Sequence, residues 1–249
     1  MKSTFKALAV GLWTAFCLTW VLVAKLAAKL LRRSPYPWLG LPYRLWARGS
    51  GRILGMHTTV KGTPPEMPFL LVTNHLSYTD ILLLAGQREC AFIAKGEIAG
   101  WPGAGTICRA VDTIFIDREN RRDVVRAGSK IAEALEQGRG VVLFAEATTS
   151  PGDTILPLKT SLLAPAANRQ IPVHYATISY RTEPGDPPAS RDVCWWGDEG
   201  FGPHFQRLLR LQRFYATVHF SRDPIQDENR KLLAKRLRAA MLETFIPVT

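Results

Sequence analysis

Residues 68–80 read PFLLVTNHLSYTD, and this stretch is the strongest single indicator of the fold. The apolar run 68–73 predicts a short buried β-strand. His75 follows the strand end directly, and if Ser77 caps a helix, Asp80 lies in its first turn and can fold back toward the histidine. The carboxylate would then hold the Nδ1 proton of His75 and leave Nε2 free to accept a proton from an alcohol.

Short apolar runs alternate with segments of helical period along the rest of the chain. Apolar and small residues recur at spacings of four, three and four over 124–135, and a second helical pattern covers 233–241. This alternation predicts an α/β fold with a mixed, mostly parallel sheet flanked by helices. The predicted strands are 68–73, 90–94, 113–116, 141–144, 173–179 and 214–220.

Further polar side chains occur at strand boundaries. Asp117 and Arg118 follow the run ending in Phe115-Ile116, Glu146 follows the run VVLF, and Ile-Pro-Val-His begins the strand at 173. Taken singly, these are a surface ion pair, a strand-end carboxylate and an ordinary strand start. Together they place charged groups at the strand exits, where α/β sheets commonly hold their sites.

The N-terminal segment is apolar and then strongly basic. Residues 7–24 carry no charge and reach about 27 Å as a helix, close to the roughly 30 Å hydrocarbon core of a bilayer. Lysines and arginines follow, so the positive-inside rule places the remainder on the cytoplasmic side. A membrane anchor, spanning or re-entrant, is favoured over a cleaved signal peptide or a buried core helix. The prolines at 35, 37 and 42 are expected to prevent a long continuation of the helix.

Charge and cysteine content exclude several protein classes. The formal net charge is +11, but residues 1–65 contain ten Lys or Arg and no acid, whereas the rest carries 22 bases and 21 acids. This distribution indicates that the N-terminal part contacts a membrane surface, and it argues against nucleic-acid binding. The four cysteines share no close spacing, which excludes a disulfide framework and a zinc ribbon, and no metal site is predicted. We therefore predict two parts of the chain: a membrane anchor with an interfacial helical segment over 1–55, and a catalytic domain over 56–249.

The order of these blocks resembles a known family. Asn-His-x4-Asp, Phe-Ile-Asp-Arg, Phe-x-Glu-x-Thr-x-Ser and Ile-Pro-Val are similar to the four blocks of the glycerolipid acyltransferases, over about residues 61–180. The resemblance implies a membrane-associated enzyme of lipid biosynthesis that acylates the hydroxyl of a lyso-lipid. The donor would be an acyl carrier protein or coenzyme A thioester acting as co-substrate, with no other cofactor, and the expected location is the cytoplasmic side of the inner membrane.

The resemblance also assigns roles residue by residue. His75 is implied as the general base and Asp80 as the residue that orients it. Glu146 is implied either to bind the acceptor or to order the site. The implied acceptor- and acyl-binding positions come from all four blocks: Asn74, Phe115, Asp117, Arg118, Glu146, Thr148, Thr149, Ser150 and Pro172.

The third block departs from the family pattern Phe-Pro-Glu-Gly-Thr-Arg-Ser. Ala145 replaces the proline, Ala147 the glycine and Thr149 the arginine. Threonine cannot make the bidentate contact that arginine makes to a phosphate. The altered block is followed by the run LPLKTSLL, and WWGD and Pro-His come further on. Together these segments resemble the branch of the family that acylates lyso-ornithine and similar aminolipids. If the glycine position has positive φ, the alanine is strained.

Two acceptors therefore remain open, a lyso-ornithine type aminolipid and 1-acylglycerol-3-phosphate. A membrane-bound lipid-binding or scaffold protein with a degenerate site is the alternative from another class, which the altered third block favours and the intact His75–Asp80 spacing disfavours. A soluble hydrolase is disfavoured because the sequence contains no Gly-x-Ser-x-Gly elbow.

Overall fold

A seven-stranded sheet forms the centre of the molecule in a computed structural model that describes residues 2–117 and 121–248. All neighbouring strands run parallel except β6 and β7, so the predicted mixed, mostly parallel α/β sheet is confirmed. The strands are β1 (Met56–Lys61), β2 (Phe69–Thr73), β3 (Cys90–Lys95), β4 (Ile114–Ile116), β5 (Gly140–Phe144), β6 (Val173–Arg181) and β7 (Phe214–Phe220), in the spatial order β1-β7-β6-β2-β5-β3-β4.

Helices cover both faces of this sheet. They are α1 (Lys2–Leu30), α2 (Tyr36–Leu54), α3 (Thr79–Ala85), α4 (Ala104–Ala110), α5 (Arg121–Glu136), α6 (Thr160–Asn168), α7 (Ala189–Asp192), α8 (Phe201–Arg210) and α9 (Arg230–Thr244), with a 3₁₀ turn at Gly96–Gly100. Because side chains alternate along a strand, Leu71 of β2 packs in the core beneath α2, α3 and α8, whereas Leu70 and Val72 pack beneath α5, α6 and α9.

The six predicted strands all occur, with boundaries moved by no more than two residues. The sequence-based prediction missed β1. Its burial explains the omission, since only Met56 of its six residues is buried and the strand lies at the edge of the sheet. A strand exposed on both faces lacks the alternation of apolar and polar residues that identifies a half-buried strand.

The N-terminal helices differ from the prediction. The apolar stretch lies within α1, but Pro35, Pro37 and Pro42 do not prevent a second long helix, because α2 runs from Tyr36 to Leu54 with Pro42 inside it. Pro35 and Pro37 lie at the start of α2, where backbone N–H groups have no intrahelical acceptor. Pro42 removes one hydrogen bond from the interior, and the burial of one face of α2 in the core compensates for that loss.

The predicted boundary at residue 55 falls between α2 and β1. Tyr43, Ala47 and Leu54 of α2 pack in the same core as β2 and β5, so the N-terminal segment and the rest of the chain share buried contacts. The division into an anchor and a catalytic domain stays a prediction.

One edge of the sheet collects the ends of the parallel strands. Thr73, the last residue of β2, pairs with Phe144, the last residue of β5, and Ile116 at the end of β4 pairs with Lys95 of β3. The segments that begin at Asn74, after Phe144 and after Ile116 therefore leave the sheet on the same side.

Candidate active site

Asn74 connects β2 to β6 at this edge. Its side-chain amide donates to the Ile178 carbonyl at 2.9 Å, and its Oδ1 accepts from the Ile178 N–H at 2.8 Å. The residue is fully buried. Both ends of the Asn74 amide bind backbone, and its contact with substrate stays a prediction. Its observed role is to fix the position where the chain leaves β2.

His75 and Asp80 form a hydrogen-bonded pair. His75 Nδ1 lies 2.7 Å from Asp80 Oδ2, and this oxygen also accepts from the backbone N–H groups of Leu76 and Ser77 at 2.8 and 3.0 Å. Asp80 is fully buried. The helix α3 begins at Thr79, and Ser77 lies in the predicted capping position, because its hydroxyl accepts from the Thr79 N–H at 3.4 Å. The Asp80 carboxylate also organises the loop that precedes α3.

The imidazole ring of His75 is held in place on a second side by aromatic stacking. It stacks on Phe144 with ring centroids 3.8 Å apart and an angle of 15°, and Phe144 stacks on Phe92. The side chain is 21% exposed, and no hydrogen bond engages Nε2 within the described ranges. With Nδ1–H bound to Asp80, this tautomer presents Nε2 as a proton acceptor toward solvent. Sequence reasoning missed Phe144 in this role, although the residue belongs to the third block.

Glu146 supports the same loop from the end of β5. Its Oε2 accepts from the His75 N–H at 2.8 Å and its Oε1 accepts from the Leu156 N–H at 2.7 Å. Burial raises the pKa of Glu146 to about 7, although the two N–H groups lower it. Glu146 is 1% exposed and both its oxygens bind backbone, and its contact with an acceptor stays a prediction. Its position supports the alternative role that the resemblance implied, ordering of the site.

The turn after Glu146 carries the altered third block. Ala147 has φ of 66°, so the residue at the family's glycine position does adopt a left-handed conformation. Thr148 is exposed and Thr149 partly exposed, whereas Ser150 is buried. The Ser150 N–H donates to the His75 carbonyl at 3.1 Å, and its hydroxyl has no hydrogen-bond partner within the part of the chain that is described. The turn therefore lies directly against the loop that carries His75.

The second block reaches the same edge of the sheet but lies to one side. Phe115 and Asp117 belong to β4 and the residue after it, three strands from β2, which is about 14 Å across the sheet. Asp117 is exposed, and its N–H donates to Asp123 of α5 at 2.8 Å. Arg118 lies outside the described residues, so its predicted contact with an acceptor stays a prediction.

The fourth block lies at the opposite edge. Val173 pairs with Leu70, so Pro172 lies beside the start of β2, about 20 Å along the strand direction from His75, and it is exposed. The structure places Pro172 well away from His75 along the strand, and its contribution to an acyl pocket stays a prediction. A strand's first residue lies at the far edge from its last, and sequence order alone does not show which edge a block occupies.

A C-terminal segment closes one side of the site. The Trp195 N–H donates to the Leu76 carbonyl at 2.8 Å, and Tyr78 Oη lies 3.0 Å from Nδ1 of the buried His204. His204 Nε2 faces the Cys194 carbonyl at 2.9 Å, so Nε2 carries the proton and Nδ1 accepts from Tyr78. This histidine is thus a buried structural residue that connects α8 to the loop between His75 and Asp80.

Comparison with known proteins agrees with this architecture. Residues 57–179 match the family described as Acyltransferase. A lyso-ornithine lipid O-acyltransferase of Rhizobium meliloti (strain 1021) is 34% identical over 221 residues, which cover 82% of this chain and 75% of that protein. A 1-acyl-sn-glycerol-3-phosphate acyltransferase of Neisseria gonorrhoeae is 29% identical over 78% of each chain. The crystal structure of the 1-acyl-sn-glycerophosphate acyltransferase of Thermotoga maritima superposes with a TM-score of 0.66 at 20% identity, covering 98% of this chain and 97% of that one.

Proposed function

The chain belongs to the acyltransferase family, and we propose that it transfers a fatty acyl group from an acyl thioester to the hydroxyl of a lyso-lipid. The observation that carries the proposal is the hydrogen-bonded pair of His75 and Asp80 at the exit of β2, with the imidazole partly exposed and Asp80 fully buried. General-base catalysis requires such an arrangement, because one ring nitrogen must stay protonated and oriented while the other receives a proton.

The reaction follows from this geometry. His75 Nε2 accepts the proton of the acceptor hydroxyl as its oxygen attacks the thioester carbonyl carbon. Asp80 stabilises the imidazolium that forms, because its carboxylate lies 2.7 Å from Nδ1. The carbon–sulfur bond then breaks, and the imidazolium returns its proton to the departing thiolate. This route needs no covalent acyl-enzyme and assigns no step to a cysteine. The intact pair also favours an active enzyme over a lipid-binding protein with a degenerate site.

For the acceptor, we favour a lyso-ornithine type aminolipid over 1-acylglycerol-3-phosphate. Thr149 occupies the position where the family pattern has an arginine, so one cation that a phosphate monoester needs is missing. A zwitterionic head needs one cation and one anion. Arg118 is the predicted cation. Glu146 and Asp117 are the two candidate anions, and we favour Asp117, because Glu146 is buried and bound to backbone on both oxygens. Support also comes from the relatives named lyso-ornithine lipid O-acyltransferases, at 29–34% identity.

Membrane association is a further part of this proposal, and α1 supports it. Residues 3–30 are long and apolar enough to cross a membrane. The face with Cys17, Val21 and Ala28 packs against the molecule, while large apolar side chains point outward. The outward set is Phe5, Leu8, Leu12, Phe16, Trp20, Leu22, Val23, Leu26 and Leu30.

The contacts at the two ends of α1 favour the re-entrant or interfacial form of the anchor. Lys6 Nζ donates to the carbonyls of Leu54 and Leu211 at 3.1 and 2.7 Å, and Lys25 pairs with Asp112 at 2.8 Å. These lysines are about 28 Å apart along the helix. A spanning helix would place their partners, which belong to one folded unit, on opposite sides of a bilayer. We therefore propose that α1 lies along the membrane surface with its outward face in the lipid. The basic residues after α1 suit the anionic lipids of the cytoplasmic leaflet, which favours the cytoplasmic side of the inner membrane.

A competition assay tests the function and the acceptor together. The full-length protein, purified in detergent, receives equal amounts of lyso-ornithine lipid and 1-acylglycerol-3-phosphate with either acyl carrier protein or coenzyme A thioesters as donor. We expect acyl transfer to lyso-ornithine lipid first. Faster consumption of 1-acylglycerol-3-phosphate refutes the acceptor assignment, and no transfer to any lyso-lipid from either donor refutes the proposed activity.

A further inference from the structure

Tyr180 places a buried hydroxyl group against the Asp80 carboxylate. Its Oη donates to Asp80 Oδ1 at 2.7 Å, and the two residues are 1% and 0% exposed. Oδ1 is the oxygen that does not face His75, so the tyrosine completes the hydrogen bonding of the carboxylate on its far side. Tyr180 lies near the end of β6, 100 residues from Asp80 in the chain, and no local sequence pattern pointed to it.

A neighbouring threonine donates a second hydrogen bond to the tyrosine. Because an ionised carboxylate can only accept, Tyr180 Oη donates to Asp80 and accepts from Thr79 Oγ1 at 3.0 Å. Burial, and after it the charge of Asp80, raise the pKa of Tyr180 well above its usual value. The hydroxyl therefore stays protonated and acts as a donor throughout the pH range of an enzyme assay.

We propose that Tyr180 is a positioning residue for acyl transfer, which holds Asp80 so that Oδ2 faces His75 Nδ1 and which moderates how tightly the pair binds a proton. The inference rests on the proposed function. A carboxylate with one donor fewer is a stronger base, so the pair without the tyrosine hydroxyl holds a proton more tightly. A carboxylate held from one side only is also free to rotate away from the imidazole, and misplacement of a catalytic group slows the chemical step.

Other titratable groups near the pair do not depend on Tyr180 for hydrogen bonds. Glu146 faces the pair from the end of β5 and binds the His75 and Leu156 N–H groups. Cys194, whose thiol pKa is raised by burial, faces Asp80 from the segment after α7. Removal of the tyrosine hydroxyl leaves both groups in place, so a change in proton binding by the pair reports on Tyr180 itself.

The first test measures proton binding directly and needs no turnover. Full-length protein in detergent micelles with ¹⁵N-labelled histidine contains five histidines, and the His75→Ala variant identifies the His75 resonances. We expect Tyr180→Phe to move the titration midpoint of His75 to higher pH. Tyr43→Phe is the matched control, because Tyr43 is also buried and donates to a backbone carbonyl, that of Cys90, at 2.9 Å. The control leaves the midpoint unchanged. An unchanged midpoint in Tyr180→Phe overturns the proposal.

The second test separates chemistry from binding. Loss of a hydrogen bond to a charged group predicts a fall in kcat of about 10- to 100-fold for Tyr180→Phe, with the KM for the acceptor unchanged. In an Asp80→Asn background the same change should cause no further loss, because the partner is already altered. If Tyr180→Phe lowers the melting temperature as Tyr43→Phe does but keeps the parent kcat, the tyrosine is structural and the proposal fails.

A second pair of variants covers the case in which Tyr180→Phe does not fold. Thr79→Val removes the hydroxyl that donates to Tyr180 Oη and so weakens the tyrosine as a donor to Asp80, and Thr79→Ser keeps it. We expect Thr79→Val to raise the His75 midpoint and Thr79→Ser to match the parent, and equal midpoints in the two variants contradict the proposal. If the parent protein acylates no lyso-lipid, the proposed function fails, whereas the titration still decides the relation between Tyr180 and the pair.

Discussion

Ala147 occupies a left-handed backbone position in the turn that follows Glu146. Its φ is 66°, a region where alanine is less stable than glycine by roughly 1–2 kcal/mol. Glycine loses more backbone entropy on folding, which offsets roughly 0.4–1 kcal/mol of that gain. The change Ala147→Gly should therefore stabilise the protein by about 0.5–1 kcal/mol, which corresponds to a rise in Tm of roughly 1–4 °C for a chain of this size.

Thermal unfolding of the full-length protein in one detergent, followed by circular dichroism, measures this difference. Ala145→Gly is the matched control in the same turn, because Ala145 is fully buried and its φ is not positive. That variant should lower the Tm, since it removes a buried methyl group and adds backbone entropy to the unfolded chain. If Ala147→Gly also lowers the Tm, the alanine is not strained and the reasoning is refuted.

The remaining predictions concern the site and the membrane. His75→Ala should lower kcat by roughly 100- to 10,000-fold while the protein still folds, and activity within a few-fold of the parent contradicts the mechanism. Because burial raises the pKa of Glu146 to about 7, its stabilising contribution is complete below about pH 4.5 and is lost as the pH rises through 7. Glu146→Gln should therefore flatten the fall in Tm between pH 5 and 8, and an unchanged slope argues against this origin. Thr149→Arg should shift the ratio of kcat/KM values toward 1-acylglycerol-3-phosphate, and an unchanged ratio shows that residue 149 does not select the acceptor. Leu12→Glu, at a position 64% exposed on α1, should weaken vesicle binding by about 10-fold or more in flotation assays, whereas Val125→Glu, 67% exposed on α5, should not. Equal binding of both variants contradicts the proposed orientation of α1.

Local patterns in the sequence were sufficient for six of the seven described strands and for the central pair. The run before Asn74 is apolar and short, so it was identifiable as a buried strand, and the five-residue spacing from His75 to Asp80 restricts the carboxylate to the first turn of the next helix. The strand and the spacing each depend only on residues that are close together in the chain, so the pattern of residue types is enough to predict them. The left-handed turn at Ala147 was likewise indicated by the family pattern.

Only the tertiary structure decided which of the other site residues meet. Pro172 lies at the far edge of the sheet because β6 starts there. The Asn74 side chain hydrogen-bonds to the backbone of Ile178. The Glu146 carboxylate accepts from the backbone N–H groups of His75 and Leu156.

Residues brought to the pair from distant parts of the chain could not be predicted. Tyr180 and Phe144 reach the histidine–aspartate pair only because β2 pairs with β6 on one side and β5 on the other. Strand order is set by packing of the whole core, since each strand alone has several compatible neighbours. The sequence therefore determined most of the strands and the local pair, whereas the burial and hydrogen bonding that fix each side chain's role arise only when distant segments pack together.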